Sequence, residues 1–472
     1  MSGPARVIGV LGAGTMGAGI AQLACRAGAR TLLHDPLPQA LESGAERVRA
    51  GLRKEAEKGR LTEQEAAAAA ERLQVADSLE QLAPCELVIE AAPEWVELKR
   101  ELYERLSEIV GAECVLATNT SSLPVTGIAA AATHPERVVG MHFFNPAPLM
   151  RLLEVVAGEL SGERALRLAQ ATGEAMGKDV IRASDGPGFL VNRCNRPFGL
   201  EALRLLQERI ADVPTIDTIC RLGGGFRMGP FELMDLVGVD TGFEISQSFY
   251  ALSFGEPRWR PSPIAARYAA AGLHGRKTGR GYYDYSGDGS HRAPDPQAPP
   301  QTAGARIGGE GPLADALRAL VADTENLAGA PEVVVDGLGG TVAGEPFYAL
   351  VPLALVEVTG EAGEHAFRGL GLHTVGVPPC PGGVLGRIVC QLVNECAFAL
   401  GEGVGSARDI DTGIVLGLNY PRGPLEWADA LGPRNVLAVL EALCDEYREE
   451  RYRPAPALRR VARAGGRFHE PA

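Results

Sequence analysis

Residues 187–238 and 381–432 match one another at a constant offset of 194 positions, without a gap. Pro187-Gly188 falls on Pro381-Gly382, Arg193 on Arg387, and Glu201 on Glu395. Ile216-Asp217-Thr218 falls on Ile410-Asp411-Thr412, and Gly229-Pro230 on Gly423-Pro424. Glu232, Asp235 and Gly238 fall on Glu426, Asp429 and Gly432. So many coincidences at one offset mean a duplicated unit, and repeated units bury their apolar faces on one another. The apolar spacing in both copies is helical. The expectation is an intramolecular pseudo-dimer of helical domains, with further homo-oligomerisation left open.

Upstream of the first copy the pattern changes. The apolar run RVIGVL (residues 6–11) leads straight into GAGTMGAGIAQLACRAGA, which is G-x-G-x-x-G at Gly12, Gly14 and Gly17 opening an apolar-periodic helix. A second short strand, Thr31–His34, ends at Asp35. Strand, glycines, helix, strand and terminal acid together are the dinucleotide-binding arrangement. Gly12 allows the tight turn, Gly14 admits a pyrophosphate to the backbone, and Gly17 lets helix pack on strand. The helix N-terminus, with Thr15 and Met16 in its first turn, offers N–H donors to the phosphates. Asp35 would accept from the ribose hydroxyls and repel a 2′-phosphate, which favours NAD over NADP. His34 beside it reads as structural.

Helical and strand patterns then alternate to about residue 182, implying a mostly parallel, doubly wound α/β sheet. Helices are expected at Leu37–Gly59, Thr62–Leu73, Glu94–Val110 and Gly162–Met176, and strands at Leu87–Ala91, Val115–Ala117, Val138–Met141, Leu152–Val156 and Asp179–Arg182. Ligands sit at the carboxyl ends of such strands, where Asp35, Glu90, Asn119 and His142 all fall. In the segment HFFNPAPLMRLLEVV, Glu154 follows His142 by twelve residues. Strand, proline-containing turn and return strand bring the carboxylate beside the imidazole. A carboxylate on one ring nitrogen fixes the tautomer and leaves the other nitrogen to take a proton.

The chain of 472 residues, 46% apolar, has room for two or three domains with ample core. The expected division is a Rossmann NAD-binding domain (1–185), a first helical domain (186–285), a Pro- and Gly-rich linker (286–312), a smaller degenerate Rossmann-like segment (313–379) and a second helical domain (380–472). The net charge of −13 argues against a nucleic-acid surface. No uninterrupted apolar run reaches membrane-spanning length. The N-terminus carries no signal-peptide pattern, and the nine cysteines include no C-x-x-C pair, so a cytoplasmic protein is expected. No metal is expected. Lysine occurs only at 54, 58, 99, 178 and 277, which makes each one worth locating.

The motifs GAGTMGAGIAQ, VIEAAPEWVELK, TNTSSL, HFFNPAPLMRLLEVV, DGPGFLVNR, GPFELMDLVG and RKTGRGYYDY resemble those of the (S)-3-hydroxyacyl-CoA dehydrogenases. The similarity is greatest to the long single-chain form of bacterial phenylacetate catabolism. It covers residues 5–285 closely and 381–465 as a degenerate second unit, with no crotonase-like half. The resemblance implies oxidation of a 3-hydroxyacyl-CoA thioester to the 3-oxoacyl-CoA, with NAD taking the hydride. It makes His142 the base, Glu154 its partner, Ser121 a hydrogen bond to the reacting oxygen, and Asn192 an orienting group from the second domain. It puts Glu94, Lys99, Asn119, Asn145 and Lys277 against the nicotinamide half of NAD, and Lys58 against the CoA. Gly51 departs from the serine common in the family, with Arg53 or Lys54 to compensate.

Ser121 has a second reading, as a helix N-cap, because TSSL precedes a helical run. The basic face of residues 37–60 reads either as a solvated helix side or as a steering surface for CoA phosphates. The acyl group is hydroxybutyryl or hydroxyadipyl. A distal carboxylate would need a cation, for which Arg196, Arg221 and Arg227 are the helical-domain candidates by residue type. Two other functions compete: a sugar-acid or free hydroxy-acid dehydrogenase on the same scaffold, and a non-catalytic NAD-binding structural protein. In the second half, alignment of LVEV (355–358) with LLEV (152–155) puts Glu345 at the place of His142 and Tyr348 at that of Asn145. The ungapped offset puts Gly386 at that of Asn192. That half is expected to be scaffold.

Overall fold

In a computed structural model of the chain, residues 3–287, 290–321 and 330–469 are described. Residues 288–289 of the expected linker, 322–329 of the expected α/β segment, and the two termini lie outside the described residues. The chain divides into two compact units, Met1–Leu190 with Val404–Gly417, and Val191–Gly403 with Leu418–Ala472.

The first unit holds an eight-stranded sheet. Its strands are β1 (Val7–Leu11), β2 (Arg30–His34), β3 (Leu73–Val75), β4 (Leu87–Glu90), β5 (Val115–Thr118), β6 (Val138–Phe143), β7 (Leu152–Ala157) and β8 (Asp179–Ser184). They lie in the order β3-β2-β1-β4-β5-β6-β7-β8, parallel throughout except β6 with β7. Strands β4, β5 and β6 are buried residue by residue, as apolar runs covered on both faces must be. Two of the covering helices are α1 (Thr15–Arg26), which buries every residue from Gly17 to Cys25, and α2 (Pro38–Glu57), which buries Leu41, Val48 and Leu52. From β1 the sheet grows one way through β2 and the other way through β4, which opens a crevice at the carboxyl ends of these strands. One expectation fails here. The helix expected to run to Leu73 ends at Glu71, and Leu73–Val75 forms the sheet's edge. Three residues with only Leu73 buried carry no usable period.

The second unit contains the helices Arg196–Gln207 and Gly383–Gly401, packed on each other. Two buried ion pairs tie residues far apart in sequence. Arg193 Nε donates to Glu395 Oε1 at 2.8 Å, and Arg387 Nε donates to Glu201. Burial works to raise the Glu201 pKa, but Arg387 and Arg204 outweigh it and hold the carboxyl at about 2. Asp235 accepts from the backbone N–H groups of Tyr282 and Tyr283, and Asp429 accepts from those of Phe468 and His469. Among the described residues, Gly383–Gly401 is the one helix long and apolar enough to cross a membrane. The sequence shows no uninterrupted run because Arg387 and Glu395 break it. Both are paired, and every residue from Gly383 to Ala399 is buried, as in a core helix.

A six-stranded sheet also belongs to this unit. It comprises β9 (Arg306–Gly308), β10 (Glu332–Asp336), β11 (Gly339–Val342), β12 (Glu345–Tyr348), β13 (Leu355–Val358) and β14 (His373–Gly376), in the order β14-β13-β12-β11-β10-β9. Only β9–β10 and β13–β14 pair parallel, so the sheet is mixed and not doubly wound. The register also corrects one alignment. Tyr348, not Glu345, lies opposite Glu357, as His142 lies opposite Glu154. The stretch read as a linker is partly fixed: Arg221 Nη2 donates to Asp295 at 2.7 Å, and Arg292 Nε donates to Glu232 at 2.7 Å.

Candidate active site

The β1–α1 turn explains each of its glycines. Gly12 has φ +97°, and a Cβ there would lie 2.6 Å from the Ala91 carbonyl oxygen. A Cβ on Gly17 would lie 1.8 Å from the Gly12 carbonyl oxygen, so only glycine lets α1 start against β1. Gly14 faces open space. Asp35, at the end of β2, accepts from Ala13 N at 2.8 Å and Leu37 N at 3.0 Å, which locks the turn to the second strand. Gly12, Gly14, Thr15, Met16 and Asp35 line a cleft of about 900 Å³ whose walls include Leu79, Leu98 and Leu102. An open glycine at a helix start, an acid at the strand end and an apolar slot fit NAD. His34 lines the same cleft, with Nδ1 2.8 Å from the Ala76 carbonyl oxygen.

A buried polar cluster follows at the ends of β4 and β5. Lys99 Nζ lies 2.6 Å from Glu90 Oε1 and 3.2 Å from Glu94 Oε2, and its side chain is 1% exposed. Thr118 donates its hydroxyl to Glu90 at 2.9 Å. Glu94 in turn accepts from the Thr120 hydroxyl, from Ser121 N at 3.0 Å and from the Ser122 hydroxyl at 3.2 Å. Burial works to raise the Glu94 pKa, but Lys99 and these donors outweigh it and hold the carboxyl low. Lys99 therefore pairs with two carboxylates at once. Ser121 is exposed at the rim. The N-cap reading of Ser121 fails, because the next helix starts at Val125 with Pro124 as its N-cap. The first two N–H groups of that helix are taken by Asp185, at 3.1 and 2.8 Å.

His142 and Glu154 are register partners on β6 and β7. Nδ1 lies 2.6 Å from Glu154 Oε2, the histidine is 6% exposed, and the carboxylate is fully buried. Glu154 Oε1 also accepts from Leu190 N at 3.2 Å. Phe144 and Phe189 flank the imidazole, with ring centroids 4.5 and 5.8 Å away. With Nδ1 held as the donor, Nε2 is the basic nitrogen. Asn119 Oδ1 accepts from Phe143 N at 2.9 Å and fixes the end of β6. Asn145 is exposed in the turn that follows. That turn is held by Lys178, whose Nζ donates to the carbonyls of Ala147 and Met150 at 2.6 and 2.7 Å. Burial, and Arg26 nearby, lower the Lys178 pKa to about 8.

The remaining expected residues separate by location. Asn192 and Lys277 belong to the second unit, where Lys277 pairs with Asp240 at 2.7 Å. Arg53 and Lys54 are exposed on α2 and Lys58 is exposed at its C-cap, with Arg53 2.6 Å from Glu46. A Cβ on Gly51 would lie 2.1 Å from Gln22 Oε1, and Gln22 is itself held by Glu55. A serine at this position would displace the Gln22 side chain.

Comparison with known proteins accords with this geometry. The sequence profile for the 3-hydroxyacyl-CoA dehydrogenase NAD-binding domain matches residues 7–186. The profile for the 3-hydroxyacyl-CoA dehydrogenase C-terminal domain matches residues 188–285 and 382–469. The chain belongs to the 3-hydroxyacyl-CoA dehydrogenase family. It is an NAD-dependent oxidoreductase. The chain is 36% identical to the 3-hydroxyadipyl-CoA dehydrogenase of Escherichia coli (strain K12), over 97% of each chain. The crystal structure of a 3-hydroxybutyryl-CoA dehydrogenase from Escherichia coli K12 superposes with TM-score 0.84 at 33% identity, covering 98% of this chain and 99% of that one. The 3-hydroxybutyryl-CoA dehydrogenase of Bradyrhizobium diazoefficiens is 38% identical over 61% of this chain and 98% of its own.

In this member of the 3-hydroxyacyl-CoA dehydrogenase family, three groups have partners that the sequence pattern alone does not disclose. Lys178 was flagged only by the scarcity of lysine. Asp185 stands at the head of DGPGFLVNR, but nothing local says that it caps a helix some 60 residues earlier. Glu90 stands at a strand end, and its pairing with Lys99 follows from helical spacing only once the helix start at Val96 is known.

Proposed function

We propose that this enzyme oxidises the 3-hydroxyl of an (S)-3-hydroxyacyl-CoA, with His142 as general base and Glu154 as its orienting carboxylate. The observation carrying this is the buried contact from His142 Nδ1 to Glu154 Oε2 at 2.6 Å. As the C3–H bond breaks, the hydroxyl O–H bond also breaks and its proton passes to Nε2. Glu154 stabilises the imidazolium that results, and the lone pair left on oxygen becomes the C=O bond. NAD, when bound, supplies nicotinamide C4 as the hydride acceptor. Ser121 hydrogen-bonds the reacting oxygen and orients it against His142. Glu94, Asn119 and Asn145 order the nicotinamide side, with Lys99 holding Glu94 charged. Arg53 and Lys54 on α2, and Lys58 at its C-cap, attract the CoA phosphates. A general base of this kind is worth about 10²–10⁴-fold in rate.

The acyl group is 3-hydroxyadipyl or 3-hydroxybutyryl, the substrates named for the relatives above. The test is NADH formation from 3-hydroxybutyryl-CoA, 3-hydroxyadipyl-CoA and free 3-hydroxy acids, with His142→Gln alongside. The expected outcome is turnover of thioesters alone, lost in the variant while NAD still binds. Near-normal kcat in His142→Gln would overturn the assignment of the base, and turnover of free acids would favour the hydroxy-acid reading.

The same reading extends to the second half as a degenerate copy: helices packed as a pseudo-dimer, with the mixed sheet as the remnant of a nucleotide domain. The reciprocal pairs Arg193–Glu395 and Arg387–Glu201 support this, because each joins one copy's arginine to the other copy's glutamate at the 194 offset. Glu357 supports it too. It accepts from Val384 N, as Glu154 accepts from Leu190 N. All nine cysteines are unpaired, which supports a reducing, cytoplasmic setting.

A further inference from the structure

The first compact unit is not built from the first half of the chain alone, because it includes Val404–Gly417. Val404 reaches the edge of the eight-stranded sheet. Its carbonyl oxygen accepts at 2.8 Å from the N–H of Ser184, the last residue of β8. Gly405 follows, and the helix Ala407–Leu418 then buries Ile410, Gly413 and Ile414. A Cβ on Gly405 would lie 2.3 Å from Leu190 Cδ1 and 3.3 Å from the Arg182 carbonyl oxygen. Gly405 is not among the glycines of positive φ, so backbone conformation does not demand glycine there. What the position demands is the missing Cβ, in return for the chain entropy that a glycine loses on folding. Leu190 is fully buried, so its side chain has no solvent to swing into.

Leu190 has a task in this unit. Its N–H donates to Glu154 Oε1 at 3.2 Å, and Oε2 of the same carboxylate meets His142 Nδ1 at 2.6 Å. Phe189, the residue before it, has φ +52°, a left-handed backbone that a bulky side chain adopts only at a cost. Its ring lies 5.8 Å from the imidazole, centre to centre. A strained residue of this kind keeps its place only where its surroundings over-determine it. Glu154 holds the backbone of Leu190, and Gly405 closes on its side chain. The contacts thus run without a break from Gly405 through Leu190 and Glu154 to His142.

We infer that Gly405 is a positioning residue for the dehydrogenase reaction, holding Leu190 so that its N–H stays on Glu154 and Glu154 stays on His142. The second half of the chain then supplies a working part of the first unit. This rests on the function proposed above, with His142 as the base. The test measures kcat, KM for NAD and the pH–rate profile with 3-hydroxybutyryl-CoA and 3-hydroxyadipyl-CoA. It compares wild type, Gly405→Ala, Leu190→Ala and the double variant. In Gly405→Ala, kcat should fall about tenfold to hundredfold while KM for NAD stays within about twofold. The profile should be displaced, because a shifted Glu154 stabilises the imidazolium less. The double variant should recover at least about fivefold, since Leu190→Ala removes the methyl that the added Cβ meets. A lower kcat with an unmoved profile, or no recovery in the double variant, makes Gly405 a packing residue and overturns the inference. Should Gly405→Ala not fold, Leu190→Ala decides, because it keeps the N–H and loses the contact. There a fall in kcat of at least about threefold with a displaced profile is expected, and wild-type kcat overturns the inference. Amide hydrogen exchange at Leu190 needs no substrate and should quicken at least about tenfold in Gly405→Ala; unchanged exchange also overturns it. Wild type that oxidises no 3-hydroxyacyl-CoA sinks the dehydrogenase reading instead, while the exchange still reads the hold on Glu154.

Discussion

Glu154 sits directly across the antiparallel β6–β7 pair from His142, and its two oxygens divide their work. Oε2 meets the imidazole at 2.6 Å, and Oε1 accepts from Leu190 N at 3.2 Å. One carboxylate therefore sets the tautomer of the imidazole proposed as the base and holds the segment that starts at Leu190.

The substitution Glu154→Gln separates these tasks. A glutamine oxygen still accepts from Leu190 N, but its amide donates toward Nδ1 and selects the wrong tautomer. In serine proteases the comparable exchange costs about 10⁴ in kcat. Here a fall of about 10²–10⁴ in kcat is expected, with KM for NAD little changed and a displaced pH–rate profile. An unchanged profile and a kcat within threefold would leave Glu154 a purely structural residue.

Asp35 is fixed by Ala13 N and Leu37 N and lines the cleft proposed to take the adenosine half of NAD. Its charge opposes a 2′-phosphate, and at about 4 Å the repulsion between unit charges is about 1–4 kcal/mol at surface dielectric values. Asp35→Asn keeps the shape and removes the charge. The ratio of kcat/KM for NAD over NADP should drop at least tenfold. Retention of the ratio would move cofactor selection elsewhere.

Much of this site was legible because its constraints are local. G-x-G-x-x-G needs glycine at Gly12 and Gly17 for steric reasons that a short stretch already encodes. Strand–turn–strand at twelve residues brings Glu154 to His142 whatever surrounds it. What escaped depends on distance or length. Lys178 acts on carbonyls 28 and 31 residues away, and no periodicity announces that. The short edge strand Leu73–Val75 buries one residue of three. Glu345 was aligned with His142 by sequence spacing, but the second β-turn is three residues shorter: Tyr348 faces Glu357 nine positions on, against twelve for His142.

Arg387 is fully buried and bonds Glu201, Glu208, Tyr447 and Tyr452. Arg387→Met would strand Glu201, which is also fully buried. Removing one partner of such a pair costs about 3–5 kcal/mol, a loss that denaturant titration of the variant would reveal. Because the folded-state pKa of Glu201 is depressed to about 2, its contribution is present above the usual carboxylate pKa and lost as pH falls toward 2. The gap between wild type and variant should therefore close as the solution is acidified from pH 5 to pH 3. A gap that stays constant would show that packing, and not the ion pair, sets the cost.

Glu357 carries the opposite sign. It is buried, accepts from Val384 N at 2.5 Å and Leu385 N at 2.9 Å, and faces Tyr348 where the first half has a histidine. Burial, only partly offset by those two donors, raises its pKa to about 7. The folded state thus binds a proton that the unfolded chain releases above about 4.5, and the associated stability is lost as pH rises through 7. Over that window the loss is on the order of 3 kcal/mol. Glu357→Gln keeps an acceptor for the helix start and has no proton to lose. Its melting temperature relative to wild type should climb by several degrees between pH 5 and pH 8. A relative melting temperature that is flat with pH would mean that Glu357 stays ionised throughout, held by the helix N-terminus alone.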